Sequence, residues 1–466
     1  MWRLLFLAAI TAVAAGPAYG QGSSTALAVP DSATRPGVTA DTLRPGPTAE
    51  ERPEVARAFA ELFILNAAAV GINHLARDIP TAGPQEWWEN IRSGWNWDGN
   101  NISTNNIEHP YGGAVYYNVA RSNGMSFWAA APVTLAGSFM WEVFGEASPP
   151  SANDLVITTL SGITLGEAIR RLSVIVLDNQ ATGFDRVWRE ASVLLVNPGM
   201  GLDRLSRGQT WRQRPNPGEH RPGNLRGIVS VGAQRLSLGR GTGETMDVAA
   251  AAFGLQYGDP FGARVQPFSY FTITAELNSG PSTTLTQLGT RGMLASLGRH
   301  DGITRRVAGV FMDFDYRWNE SYQFSEQSIG LGILSRTGDG TWRLYTDVSA
   351  ELLPLVASSD PYADALVDRG YDYGAGAGGR AMASLELHGA RLLTVGYRGF
   401  LTATVSGASQ SKFIQFATVE ARTPPVIGLS VGAAYNVYVQ RSAYAAHPNS
   451  TVSLPSLSVF ISTSGR

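Results

Sequence analysis

The sequence predicts an α+β fold in which an N-terminal helical domain is followed by an antiparallel transmembrane β-barrel of about twelve strands. Three observations predict it. The spacing of apolar residues changes from a helical period to a period of two near Leu225. Glycine is abundant, at 52 residues, while charged residues make up only 16% of the chain, as is typical of a β-rich wall that faces lipid. The N-terminus has the pattern of an exported protein.

Composition restricts the classes of function. A chain of 466 residues exceeds the usual size of one domain, so two structural units are expected. The 36 basic and 38 acidic residues nearly cancel, and a nucleic-acid partner is therefore not predicted. Cysteine is absent, which excludes a disulfide scaffold, thiol catalysis and a metal site with cysteine ligands.

Residues 1–20 are interpreted as a secretory signal peptide. A short basic start that includes Arg3 precedes an apolar stretch, and Ala18-Tyr19-Gly20 forms a small-residue cleavage site. An uncleaved membrane anchor is the alternative, but the apolar stretch is shorter than the roughly 20 residues that a spanning helix needs. Residues 21–53 are rich in Ser, Thr, Ala, Pro and Gly without an apolar period, and this composition predicts a disordered linker.

Residues 54–215 are predicted to form a helical domain of unknown function. The apolar segments with helical spacing are Glu54 to Ala76, Ser126 to Glu146, Asn153 to Val176 and Phe184 to Val196. Charged residues such as Glu61 and Glu167 interrupt these segments, so none is predicted to be a membrane-spanning helix. The helices are expected to pack on one another, either in the periplasm or inside the barrel lumen.

Residues 225–466 are predicted to form the barrel. Apolar and polar residues alternate along 308–317, and the same alternation recurs at 271–278, 342–349, 380–388 and 427–439. Segments of about ten such residues, separated by glycine-rich and proline-rich turns, are typical of a membrane barrel with lipid outside and water or a plug inside. A soluble β-sandwich with one solvated face is the alternative, because it has the same alternation.

The predicted inward face of the barrel carries charges of both signs, including Asp313, Arg380 and Arg398. Opposite charges that pair across a narrow lumen would obstruct it, whereas the same charges could also line a water-filled interior. About twelve strands form a narrower barrel than the porins with 16–18 strands, so a wide pore is not expected.

Any chemistry is expected between residues 87 and 167, where polar residues are dense within apolar helices. The candidate catalytic residues are His109, Glu142 and Asp154, and the residues expected to join them in a polar network are Asn106, Arg121, Glu146 and Ser151. A purely structural network that locks the helices together is the alternative. No metal is predicted, because HExxH and paired-histidine spacings are absent. The alternative is a metal bound by His109, Glu142 and Asp154.

The run from His109 to Glu167 contains the motifs HPYGG, ARSNG, WEVFGE, PSANDL and GITLGE. It resembles an uncharacterised bacterial domain, a domain of unknown function found in exported proteins. The order of its polar residues is also distantly similar to VanZ-like membrane proteins, with the matching positions His109, Glu142, Glu146, Ser151, Asp154, Gly162 and Gly166. The resemblance implies one shared helical unit and implies no reaction.

These observations predict an outer-membrane protein of a Gram-negative cell envelope, a conduit or an anchor, whose helical domain acts as a plug or docking module. The alternative is an envelope hydrolase or transferase that acts on lipid or glycan with His109 as general base. The expected partners are outer-membrane lipid, the barrel-assembly machinery and a small-molecule or lipid ligand of unspecified identity. No cofactor is predicted.

Overall fold

The computed structural model describes residues 53–77, 80–220, 222, 224–239, 243–262, 266–338, 340–363 and 369–465. The signal peptide predicted for residues 1–20 lies outside these residues, as does the predicted linker except for Pro53. The described chain consists of a helical region followed by a barrel, and the predicted fold class is confirmed.

The helical region contains seven α-helices. They are α1 (Val55–Arg77), α2 (Pro84–Ser93), α3 (His109–Ser122), α4 (Phe127–Met140), α5 (Ala152–Val176), α6 (Gly183–Val196) and α7 (Pro198–Ser206). A π-helical turn, Thr104–Glu108, precedes α3, and a second one, Trp141–Gly145, continues α4. The hydroxyl of Ser151 accepts a hydrogen bond from the backbone N–H of Asp154 and so caps the N-terminus of α5.

The barrel is closed and contains twelve antiparallel strands, with β1 hydrogen-bonded to β12. The strands are β1 (Leu225–Ser237), β2 (Thr245–Tyr257), β3 (Phe271–Asn278), β4 (Leu285–His300), β5 (Thr304–Trp318), β6 (Gln323–Thr337), β7 (Trp342–Ser359), β8 (Tyr371–Leu387), β9 (Ala390–Ser406), β10 (Ser411–Arg422), β11 (Leu429–Ala443) and β12 (Ser450–Gly465). Leu225 and Gly465 lie at one end of the barrel, here called the first rim. Ser359 and Tyr371 pair at the opposite end, the second rim.

Ion pairs between strands that are not neighbours identify the lumenal face. Arg291 on β4 pairs with Asp347 on β7 at 3.1 Å, and Arg380 on β8 pairs with Asp313 on β5 at 2.8 Å. Arg398 on β9 pairs with Asp315 on β5 at 2.6 Å. In a closed barrel, such distant strands can meet only across the lumen. Of the two alternatives for these charges, the structure shows pairing across the interior.

The helices contact the opposite, outward face of the barrel. Side chains alternate along a strand, so Met312, Phe314 and Tyr316 face away from the lumen that Asp313 and Asp315 occupy. These three side chains are nevertheless buried, and they share one hydrophobic core with residues of α3, α4 and α5. The expectation of a plug inside the lumen does not match these contacts, because the barrel's own side chains occupy that space.

Helix α5 runs along the wall from one rim to the other. Near its start, the amide of Asn153 donates to the hydroxyl of Tyr373 close to the second rim. Near its end, the guanidinium of Arg171 donates to the carbonyl of Pro267 and lies over the ring of Tyr257 at the first rim. A helix of 25 residues is about 37 Å long, which matches this course.

Part of the covered wall is polar. Thr290 and Gln327 flank Phe314 on neighbouring strands, and Ser325 lies opposite Tyr316, so all three face outward. Each is buried, and their side-chain hydroxyl and amide atoms have no hydrogen-bond partner within the described part of the chain. Elsewhere the outward face is exposed and apolar, as at Leu331, which is 59% exposed.

Helix α1 is long and apolar enough to cross a membrane between Val55 and Leu75, and it is the one described helix that meets this criterion. From the sequence, this segment was not expected to span a membrane, because Glu61 interrupts its apolar residues. That carboxylate is not isolated, because it accepts hydrogen bonds from Arg57 at 2.8 Å and from Asn123 at 2.7 Å. Most of α1 is exposed, including Phe63 at 64%.

Candidate functional site

A close crossing of α3 and α5 creates the site. A Cβ atom on Gly113 would lie 1.9 Å from the carbonyl oxygen of Thr158, and one on Gly162 would lie 2.5 Å from the carbonyl carbon of Gly113. Only glycine at both positions allows the two backbones to approach this closely. The crossing places His109, at the start of α3, beside Asp154 and Thr158 in the first two turns of α5.

The three candidate catalytic residues converge. His109 Nε2 lies 3.9 Å from Asp154 Oδ1. One nitrogen of His109 and one oxygen from each of Glu142 and Asp154 all lie within 4.8 Å of one another. Glu142 comes from the π-helical turn after α4, so three separate helical segments contribute. Both carboxylates are completely buried, and the His109 side chain is 11% exposed.

Hydrogen bonds orient these side chains. The backbone N–H of Ser151 donates to Glu142 Oε2 at 2.8 Å. The amide of Asn153 donates to Asp154 Oδ1 at 3.0 Å, and the Thr158 hydroxyl lies 3.3 Å from His109 Nδ1. An Nδ1–H that donates to Thr158 would leave the Nε2 lone pair of His109 directed toward the carboxylates.

Several buried polar atoms in this region have no hydrogen-bond partner among the described residues. They are Glu142 Oε1, Asp154 Oδ2, Asn105 Oδ1 and both side-chain atoms of Asn106. Buried polar groups are nearly always satisfied by protein, water or an ion, so this concentration points to a partner that the described residues do not supply. Asn106 precedes His109 by three residues and is 1% exposed.

The barrel wall contributes two tyrosines to the surroundings of the site. The amide of Asn105 donates to the hydroxyls of Tyr371 and Tyr373, at 3.1 and 3.3 Å. Tyr371 also lines a cavity of about 240 Å³ between residues 99–102 and the second rim. The site therefore lies at the seam between helices and barrel, near the second rim.

The structure brings together most, but not all, of the residues expected in the network. Ser151 contacts Glu142, and Glu146 lies nearby, where it accepts hydrogen bonds from Trp141 and Ser148. Arg121 is elsewhere, because it pairs with Glu167 at 3.0 Å. Twelve residues separate it from His109 on one helix, a distance of about 18 Å along the axis.

Sequence reasoning missed Thr158, Tyr371 and Tyr373. Thr158 lies four residues after Asp154, one helical turn away, and that spacing could have placed it beside the site. The two tyrosines carry no such signal. They belong to a strand more than 200 residues away, and only the packing of the helices on the barrel brings them to the site.

Residues 94–199 match the model of a protein family described as a domain of unknown function (DUF3943). This range contains the run from His109 to Glu167 on which the resemblance to such a domain was based. The distant resemblance to VanZ-like proteins stays a prediction. No curated protein matches the chain significantly.

Solved structures similar to the chain are barrels. The NanC porin is 9% identical, with 51% of this chain and 98% of that chain covered and a TM-score of 0.27. The outer-membrane channel DcaP of Acinetobacter baumannii is 10% identical, with 52% and 96% covered and a TM-score of 0.26. The translocator domain of the autotransporter NalP from Neisseria meningitidis is 12% identical, with 52% and 89% covered and a TM-score of 0.22. These scores are too low to transfer a function.

Proposed function

We propose that this chain is an outer-membrane protein whose barrel is a closed anchor, and that its helical domain lies in the membrane against the lipid-facing wall of the barrel. The observation that carries the proposal is the packing of α3, α4 and α5 on outward-facing side chains of the barrel. In this arrangement the barrel serves as a scaffold for the site at the helix–barrel seam, and it is not a conduit.

The side chains inside the barrel support a blocked lumen. Its middle contains the ion pairs of Arg291, Arg380 and Arg398 with carboxylates from distant strands. Toward the second rim, an apolar cluster of inward-facing residues fills the interior, with Phe324, Leu353, Val356, Phe400, Ile414, Phe416, Tyr438 and Leu454 as its buried members. Lys412 pairs there with Asp360 and Asp372, each at 3.2 Å. These layers leave little room for a solute path.

The exposed surface of the helices supports a position in the membrane. Phe63, Ile64 and Leu75 on α1 are 64, 63 and 86% exposed, so this helix presents a continuous apolar face. Helix α5 is about 37 Å long, enough to follow a barrel wall across a hydrocarbon core of about 30 Å. The apolar outward face of the barrel would meet the same lipid.

Cross-linking tests the placement, and the absence of cysteine in the chain makes engineered thiols unique. The ring of Trp97 lies 5.6 Å from that of Tyr373 on the outward face. We expect W97C/Y373C to cross-link with a short bismaleimide in outer-membrane preparations. The matched control is W97C/S358C, because Ser358 occupies a neighbouring inward-facing position near the second rim. Cross-linking of the control alone would refute lateral packing and favour a plug.

Conductance tests the closed lumen. The purified full-length mature protein in planar bilayers is expected to show no stable single-channel conductance. A variant that lacks three rings of the lumenal cluster (F324A, F400A and F416A) and the arginines of the ion-pair layer (R291A, R380A and R398A) is expected to conduct. Stable conductance by the unmodified protein would overturn the anchor proposal.

The convergence of His109, Glu142 and Asp154 favours a second candidate function, an envelope hydrolase or transferase with His109 as general base. The test is the incubation of the protein with vesicles of phospholipid and lipopolysaccharide, followed by mass spectrometry of the lipids. New products that disappear in H109Q but persist in H220Q would support the enzyme. Products unchanged in H109Q would exclude this role for His109.

A further inference from the structure

We propose that His109, Glu142 and Asp154 bind one divalent transition-metal ion. This inference goes beyond the anchor function and does not depend on it, because it concerns only the geometry within the helical domain. The donor set is one imidazole nitrogen and two carboxylate oxygens, a combination typical of Zn²⁺ and of other first-row divalent ions.

The spacing of the donors suits a shared ion. The three atoms lie within 4.8 Å of one another, and two ligands of a tetrahedral zinc ion are about 3–4 Å apart. Small side-chain rotations therefore suffice to close the site. The donors come from α3, α5 and the turn after α4, so an ion would also tie these three segments together.

Unpartnered atoms point independently to a ligand. Each carboxylate has one oxygen held by the protein and one oxygen without a partner, Oε1 of Glu142 and Oδ2 of Asp154. The side chain of Asn106 is buried and has neither a donor nor an acceptor partner within the described residues. An ion with one or two bound waters would satisfy the carboxylate oxygens and could reach the Asn106 amide.

The charges around the site also favour a bound cation. Neither Glu142 nor Asp154 has an ion pair with lysine or arginine in the described parts of the chain, and the one basic neighbour is His109. The other fully buried glutamate of this domain, by contrast, is paired with arginines. Glu167 contacts three arginines, Arg121, Arg170 and Arg171, at 3.0 to 3.1 Å. A divalent cation would compensate two buried carboxylates, whose isolation in a protein interior is costly.

The surrounding hydrogen bonds fit metal coordination. Ligating histidines usually have their second ring nitrogen hydrogen-bonded, and ligating carboxylates are commonly held by a further donor. Thr158 lies beside His109 Nδ1, and the backbone of Ser151 holds Glu142. These contacts fix the orientation of the donors before an ion arrives.

The experiment uses the full-length mature protein, purified without a polyhistidine tag, stripped with a chelator and titrated with Zn²⁺. We expect one Zn²⁺ per chain by mass spectrometry of metal content after dialysis, and ligand-field absorption when Co²⁺ replaces Zn²⁺. E142Q and D154N preserve side-chain size and are expected to lose the ion. T158V, which removes only the contact with His109, is expected to weaken binding by about 10–100-fold.

H220Q is the matched control, because His220 is bonded to the carbonyl of Val174 outside the site. It is expected to retain the ion. Folding of each variant is checked by the shift in gel mobility that heating causes in intact barrels. A folded unmodified protein that binds no Zn²⁺ or Co²⁺ would overturn the proposal even if the variants failed to fold. Unchanged binding by folded E142Q and D154N would also overturn it.

Discussion

Substitution of Gly113 by alanine should force α3 and α5 apart, while the same change at the neighbouring Gly112 should not. An alanine Cβ at position 113 would lie 1.9 Å from the Thr158 carbonyl oxygen and 2.9 Å from Gly162 Cα, whereas one at position 112 meets no atom within 4 Å. Because the obstructing atoms all belong to the backbone of α5, no side-chain rotation relieves the contact. The helices must separate by roughly 1.5 Å to reach ordinary van der Waals distances.

The two variants isolate the cost of this separation. In both variants, the higher helix propensity of alanine raises the free energy of unfolding by about 1 kcal/mol. This contribution therefore cancels when the two variants are compared. Overpacking costs typically about 1–3 kcal/mol, and only Gly113→Ala incurs it. For a unit of this size, each kcal/mol corresponds to about 2–4 °C in melting temperature. Thermal melting followed by circular dichroism in detergent is therefore expected to give a lower melting temperature for Gly113→Ala than for Gly112→Ala.

The separation of α3 and α5 should also change the geometry around His109. The Thr158 hydroxyl lies 3.3 Å from His109 Nδ1, so a separation of this size breaks that contact. Zn²⁺ binding should weaken in Gly113→Ala and remain unchanged in Gly112→Ala. Equal melting temperatures for the two variants would refute the close crossing as the feature that holds the helices together.

Two further changes test the lumen and the helix–barrel seam. Arg398→Ala leaves the fully buried Glu326 without its ion-pair partner, and loss of one member of a buried ion pair costs about 3–5 kcal/mol, so the barrel should lose its heat-stable gel mobility at a lower temperature. Phe127→Ala removes the ring stacked 5.8 Å from Phe268 and should cost about 3–5 kcal/mol, measured as faster proteolysis of the helices in intact vesicles. Phe184→Ala is the control for Phe127→Ala, because Phe184 is 82% exposed, and a proteolysis rate equal in both variants would contradict the stacking contact.

The barrel could be predicted from the local sequence pattern because its outward face is apolar and its lumenal face is polar. Apolar and polar residues alternate along 308–317 with one exception, Phe311, and the structure places Asp313 and Asp315 in the lumen as that pattern predicts. The position of the helical domain could not be predicted in the same way. An outward face rich in Phe, Tyr and Leu meets lipid or packed helices equally well, so sequence cannot distinguish these surroundings.

Part of the candidate site could also be predicted from the local sequence. His109, Glu142 and Asp154 stand at helix ends next to turns, and a chain that reverses direction there brings such ends together. Arg121 was assigned to the same network because it is polar within an apolar helix. Helical geometry separates it from His109, and it belongs instead with Glu167 at the other end of the helices.

The polar patch on the outer wall of the barrel has a consequence for biogenesis. Thr290, Ser325 and Gln327 face outward beneath the helices, with side-chain atoms unpartnered in the described structure. Ordered water between the wall and the helices can satisfy such groups, whereas hydrocarbon cannot, so a barrel without its helices would be less stable in the proposed membrane position. If the barrel is a membrane anchor as proposed, its wall and its helices are therefore expected to associate before or during insertion into the bilayer.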